Sequence, residues 1–157
     1  MKRQITEYNC GPASVQNALR FYGRRVGQAN LAKAAGTSPD GTDEEGVKAA
    51  LNWAKMPWAE IREYSPDVAW SMLINVPVVC CVDRWTHWVT VLGTARGRVL
   101  YFDPAKEDHL IPELNIVTLS RGKFMKRWEA ARRVRGPLGE KYYGLQVQSP
   151  GFRTRLS

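Results

Sequence analysis

The chain has 157 residues, 44% of them hydrophobic, which fits a single domain over 1–157 that buries roughly two-thirds of the surface of its unfolded form. The longest apolar run, 76–82, is too short to cross a bilayer, and no apolar stretch of signal-peptide length follows the basic start, so a cytoplasmic protein with no membrane segment is expected. The formal net charge of +8 admits nucleic acid, an anionic surface or an acidic partner, whereas an odd cysteine count excludes a disulfide framework, and two histidines without zinc-ligand spacing lead us to expect no metal and no cofactor.

Pro12 suits the first residue of a helix, with Val15, Ala18, Leu19 and Tyr22 as its apolar stripe and Gly23 as its stop. Residues 28–35 read as a short helix closed by Gly36. Thr42 and Glu45 form a capping box for a third helix that turns Val47, Ala50, Leu51 and Ala54 inward. A fourth helix starts at Ser65-Pro66 and runs to about Leu73.

From there the pattern changes to β-branched and aromatic runs at 76–82, 87–93 and 98–103, the last two joined as a hairpin by Arg96-Gly97. A short strand near Ile116 to Leu119, a helix over 121–133 and a last strand around Tyr142 to Gln148 follow. Helices first and antiparallel strands after predict an α+β fold, with N-terminal helices packed on a C-terminal sheet. The helix over 121–133 carries much of the positive charge. Phe124 and Trp128 give it an apolar anchor, so Arg121, Lys123, Lys126, Arg127, Arg132, Arg133 and Arg135 are expected on a solvated face and its exit.

A thiol attacks a carbonyl only as the thiolate, and a helix N-terminus favours negative charge. Cys10 lies at such a start, and Gly11 beside it allows a sharp turn and a close approach of substrate. His87 opens the first hairpin strand and Asp103 closes the second, so the two are expected side by side, the carboxylate fixing the tautomer that a base requires. The Gln4 side-chain amide, close in sequence to Cys10, would join the Cys10 backbone N–H as a donor to an oxyanion. Trp85 and Trp88 flank His87, where one of them would shield the pair or line a cleft, with Trp88 read as core. Trp53, Trp58 and Trp70 read as packing.

The stretches QITEYNCGPASVQNALRFYG, LAKAAGTSPDGTDEEGVKAALNWA, THWVTVLG and YFDPA resemble the bacteriocin-processing cysteine peptidases, papain-like enzymes that remove double-glycine leader peptides. The resemblance covers most of residues 4–105. It implies a papain-like fold in which Cys10 is the nucleophile, His87 the base, Asp103 its partner and Gln4 the oxyanion-hole residue.

Two departures bear on substrate. Asn9 stands where family members often carry Asp, and the chain ends at Ser157 without the membrane exporter to which well-known members are fused. The expected function is therefore a stand-alone cysteine peptidase acting on a peptide or protein through an acyl-enzyme. Acyl transfer to an amine or thiol, as in phytochelatin synthases of similar fold, stays open, as does a non-catalytic peptide-binding module. Nucleic acid has only charge behind it, with no recognised motif.

Overall fold

The structure, a computed structural model, describes residues 4–63, 65–84, 86–105, 116–129 and 141–151. Eleven elements run along these residues: α1 (Cys10–Phe21), α2 (Gln28–Ala35), α3 (Glu44–Trp53), β1 (Trp58–Glu63), α4 (Pro66–Met72), β2 (Val78–Val82), β3 (His87–Ala95), β4 (Arg98–Phe102), β5 (Ile116–Ser120), α5 (Arg121–Glu129) and β6 (Tyr142–Val147). The strands form one sheet in the order β1-β6-β2-β3-β4-β5, with every pairing antiparallel.

The sheet is covered on both faces, which extends the expected two layers to three. On one face, Val15 and Leu19 of α1, Leu31 of α2, and Val47 and Leu51 of α3 pack on Val79, Cys81, Trp88, Tyr143 and Leu145. On the other, Ala69 of α4 and Phe124 and Trp128 of α5 pack on Val78, Cys80, Val82, Val89 and Tyr101. Side chains alternate across a strand. The unbroken apolar run of β2 therefore feeds both cores, and the adjacent cysteines separate, Cys80 to one side and Cys81 to the other.

Local chemistry accounts for most boundaries. Gly36 closes α2 in the left-handed region at φ 64°. Arg96 and Gly97 turn the β3–β4 hairpin at φ 53° and 72°, the geometry of a two-residue turn that matches strand twist. The cap of α3 differs from the expected Thr42–Glu45 box. Asp43 is the cap and accepts the Gly46 N–H at 2.8 Å, because the Thr42 hydroxyl is shared with Thr37, the Thr42 carbonyl accepts the Trp88 indole N–H, and Glu45 pairs with Lys48.

Helix α1 starts at Cys10 rather than Pro12, although Pro12 still lies in the first turn, where its missing N–H costs nothing. Strand β1 was not expected. Its sequence WAEIRE carries little strand signal because it is a sheet edge that buries only Ile61 fully and carries charge between, as edge strands do. Trp53, expected in packing, is largely exposed, since it lies off the face on which Val47, Ala50 and Leu51 point inward.

Candidate active site

Cys10 is the first residue of α1 and is buried at 7% exposure, with the unpaired backbone N–H groups of the helix start around it. A Cβ on Gly11 would come within 2.8 Å of the Thr42 Cβ, so only glycine lets the residues ahead of α3 press against the turn that carries the thiol. The Thr90 hydroxyl donates to the Ser14 carbonyl at 2.7 Å, which pins the first turns of α1 to β3, the strand that His87 opens.

The segment ahead of Cys10 is held by buried amides. Gln28 Oε1 accepts both the Ile5 N–H at 2.8 Å and the Asn9 Nδ2 at 3.3 Å, while Gln28 Nε2 donates to Gln16 and Gln16 Nε2 donates to the Val26 carbonyl. Asn9 is thus turned to the network rather than capping α1. The Gln4 N–H donates to the Pro104 carbonyl at 3.3 Å, which brings Gln4 beside the end of the Asp103 turn. Its amide nitrogen donates to the Thr6 carbonyl at 2.7 Å, one of the two N–H bonds an amide can make.

His87 Nε2 and Asp103 Oδ1 are 2.6 Å apart. Register explains the meeting: Thr90 pairs with Phe102, so one step further sets Asp103 beside Val89, diagonal to His87 on the same face. With Nε2 taken by Asp103, Nδ1 is the ring nitrogen that remains for Cys10. Burial opposes charge on the imidazole, yet the hydrogen bonds to Asp103 and to Cys10, with the negative charge of both, push His87 up to about 9. Asp103 is itself buried, which would raise it, but the bonds from His87 and from the Ala105 N–H hold it below the usual carboxylate range.

Of the four residues singled out from sequence, Cys10, His87 and Asp103 come together, with Gln4 attached beside them through its backbone. Trp88 is core, as expected, and its indole N–H is bonded to the Thr42 carbonyl. Trp85, His109, Arg132, Arg133 and Arg135 lie outside the described residues. Arg127 departs from the expected solvated face: its guanidinium, only 24% exposed, reaches the Oδ2 of Asp103 and forks onto Asp83. Sequence carried no signal for it, one cation in a run of cations. Nor did it reveal Gln16 and Gln28, which look like ordinary helix-surface glutamines until their burial is seen. Among the described residues, no helix is long and apolar enough to cross a membrane.

The family model described as the peptidase C39 family matches residues 1–131. The lactococcin-A transport/processing ATP-binding protein LcnC of Lactococcus lactis is 27% identical over 135 residues, 80% of this chain and 17% of that protein. The pediocin PA-1 transport/processing ATP-binding protein PedD of Pediococcus acidilactici is 25% identical, again over 80% of this chain and 17% of its own length. The chain therefore matches less than a fifth of these curated relatives.

Among solved structures, the peptidase domain of Streptococcus ComA superposes with a TM-score of 0.69 at 18% identity, covering 93% of this chain and 95% of that one. A double glycine motif protease from an AMS/PCAT transporter, in complex with its leader peptide, gives 0.68 at 20% identity, covering 92% and 87%. These likenesses bear out the papain-like α+β fold, and the family match bears out the resemblance read from the sequence.

Proposed function

The chain belongs to the peptidase C39 family, and from that premise we propose that it is a cysteine peptidase with Cys10 as nucleophile, His87 as proton carrier, Asp103 as the orienting carboxylate and Gln4 as an oxyanion donor. The observation that carries the reading is an imidazole bonded to Asp103 at 2.6 Å whose proton is held up by both Asp103 and the Cys10 side chain at the start of α1. At neutral pH an imidazole held up to about 9 keeps its proton and is ready to pass it on, and a thiol attacks a carbonyl only as the thiolate, so the reacting pair is proposed to be thiolate and imidazolium.

The Cys10 sulfur attacks the peptide carbonyl carbon, and the carbonyl oxygen becomes an oxyanion facing the Cys10 backbone N–H and the second N–H of the Gln4 amide. Collapse of this intermediate breaks the C–N bond as His87 gives its proton to the departing amine, leaving a thioester on Cys10. Neutral His87 then takes a proton from water, whose oxygen attacks the thioester. The acid leaves, and the thiolate–imidazolium pair is restored. Asp103 holds the ring in place throughout and does not itself take up the proton.

The substrate is proposed to be a peptide, and a double-glycine leader peptide is the first to try, because that is what the matched transporter protease is seen holding. Peptides carrying such a leader, and a general peptide library, would be incubated with the protein and with Cys10→Ala, and the products read by mass spectrometry. Cleavage by the wild type alone supports the reading; equal product from both proteins, or none from either, sinks it. A conjugate formed when an amine is added would assign the acyl-enzyme to a transferase instead.

Iodoacetamide provides a check that needs no substrate. Burial pushes the Cys80 and Cys81 thiols well up and leaves them protonated, so Cys10 is expected to be alkylated ahead of both.

A further inference from the structure

We propose that Arg127 is a positioning residue of this active site: its guanidinium ties the turn that carries His87 to the carboxylate that orients His87. The inference rests on the reading of Cys10, His87 and Asp103 as the catalytic set.

Between β2 and β3 lie Asp83 and Arg84, both in the left-handed region at φ 54° and 60°, and Thr86, whose N–H and hydroxyl both donate to the Asp83 carbonyl, immediately precedes His87, the first residue of β3. A non-glycine pair in that region is uncommon and persists where surroundings hold it. Arg127 supplies the hold. Its Nε donates to Asp83 Oδ1 at 2.9 Å and its Nη2 to Asp83 Oδ2 at 2.6 Å, the two-pronged geometry that fixes direction as well as distance. The Asp83 N–H in turn donates to the Arg127 carbonyl at 3.1 Å, so turn and helix end are bonded in both directions.

The other side of the guanidinium faces the site. Nη1 and Nη2 lie 3.4 and 3.5 Å from Asp103 Oδ2, while Asp103 Oδ1 is the oxygen bonded to His87. Both carboxylate oxygens are thereby occupied, one by the base and one by the brace. Nη1 also donates to the Tyr101 hydroxyl at 3.1 Å, and the guanidinium carbon sits 5.9 Å from that ring's centroid. Among the described residues, the charged and titratable groups that act on His87 are Cys10 from α1 and Asp103 at the end of β4, with Arg127 from α5, Tyr101 from β4 and Asp83 from the turn around Asp103. A solvent-exposed ion pair of ordinary kind would touch one carboxylate and contribute little. This one spans two, and one of the two is bonded to the base.

The test follows His87 by NMR titration and Cys10 by its iodoacetamide rate against pH, in wild type, Arg127→Met, Arg127→Lys and Asp83→Asn. In the wild type the imidazole is expected to titrate near 9. Arg127→Met should release Asp103 from its orientation, move that midpoint down toward the ordinary histidine value of about 6.5, and slow alkylation on the order of 10- to 100-fold. Removing a nearby cation would by itself move the midpoint up. An upward shift, or an unchanged midpoint with an unchanged rate, therefore overturns the proposal.

Arg127→Lys keeps the charge and loses the fork, so full recovery of both readouts in that variant would also overturn it. Should Arg127→Met not fold, Asp83→Asn carries the same readouts with both Arg127 and Asp103 in place, and wild-type behaviour there refutes the brace. If the wild-type thiol proves unreactive while the His87 midpoint still follows Arg127, the peptidase reading falls and the brace stands. If the wild type reacts and Arg127→Met matches it in both measurements, the brace alone falls.

Discussion

At the scale of single residues, the proposed chemistry depends on a proton held on His87, and the groups that hold it can be removed one at a time. Asp103→Ala takes away the largest favourable contact, the 2.6 Å bond to Nε2, so the imidazole is expected to titrate lower than about 9 and cleavage to fall on the order of 10²- to 10⁴-fold. Cys10→Ser removes the other side chain that raises His87 and should also lower its midpoint, by a smaller step, as read by NMR. The same logic sets the pH profile. A peptidase that works through imidazolium loses rate as that proton leaves, so cleavage should persist into mildly alkaline solution and decline above about 9. The meeting of Cys10, His87 and Asp103, the residues proposed as catalytic, was legible in the sequence because each sits at the boundary of an element, where the flanking pattern tells which way the chain turns. Arg127 was not, because its partners Asp83 and Asp103 are far from it along the chain and only β-sheet register brings the three together.

At the scale of elements, the site depends on close approach between α1 and the residues ahead of α3, and on the amide network beneath the segment from Gln4 to Asn9. Gly11→Ala would drive a methyl group to within 2.8 Å of Thr42 Cβ. The helix start or the Thr42 segment must then shift, so a loss of about 1–3 kcal/mol in urea unfolding is expected, with a slower Cys10 alkylation if the thiol moves with the turn. Wild-type stability in that variant would show that the approach is not constrained.

Gln28→Leu tests the network differently, since it fills the space but leaves the Ile5 N–H and the Asn9 amide without their acceptor. Leaving the buried Asn9 donor unpaired costs about 1–3 kcal/mol, and faster hydrogen exchange at the part-buried Ile5 amide is the specific readout. Periodicity gave the helices and the hairpin from sequence, but the cap of α3 slipped by one residue. Side chains decided it: Thr42 and Glu45, both able to cap, were drawn to Thr37 and Lys48. Strand β1 was lost for a related reason, since an edge strand with charged residues carries too little apolar alternation to be seen.

At the scale of the whole molecule, stability should trace the same ionisations in a known direction. His87 is held up to about 9 in the fold against 6.5 in the unfolded chain, so its contribution is complete below 6.5 and is lost as pH rises toward 9. That contribution is on the order of 3 kcal/mol at most. Asp103 and Glu60 are shifted the opposite way, Glu60 to about 2 from 4.5, so what they add is present above their ordinary values and is lost as pH falls through the folded ones.

The thermal midpoint should therefore be highest between about 4.5 and 6.5 and decline on both sides. Above 9 the buried Cys80 and Cys81 add to the alkaline loss, because they ionise more readily unfolded than folded. His87→Gln separates these contributions. Melting scans from pH 5 to 10 should show the wild type losing stability between 6.5 and 9 while the variant stays level there, and both falling above 9. A variant that declines alongside the wild type through that interval would mean that His87 gains no stabilising partner on folding, and the ion pair proposed for the resting site would go with it.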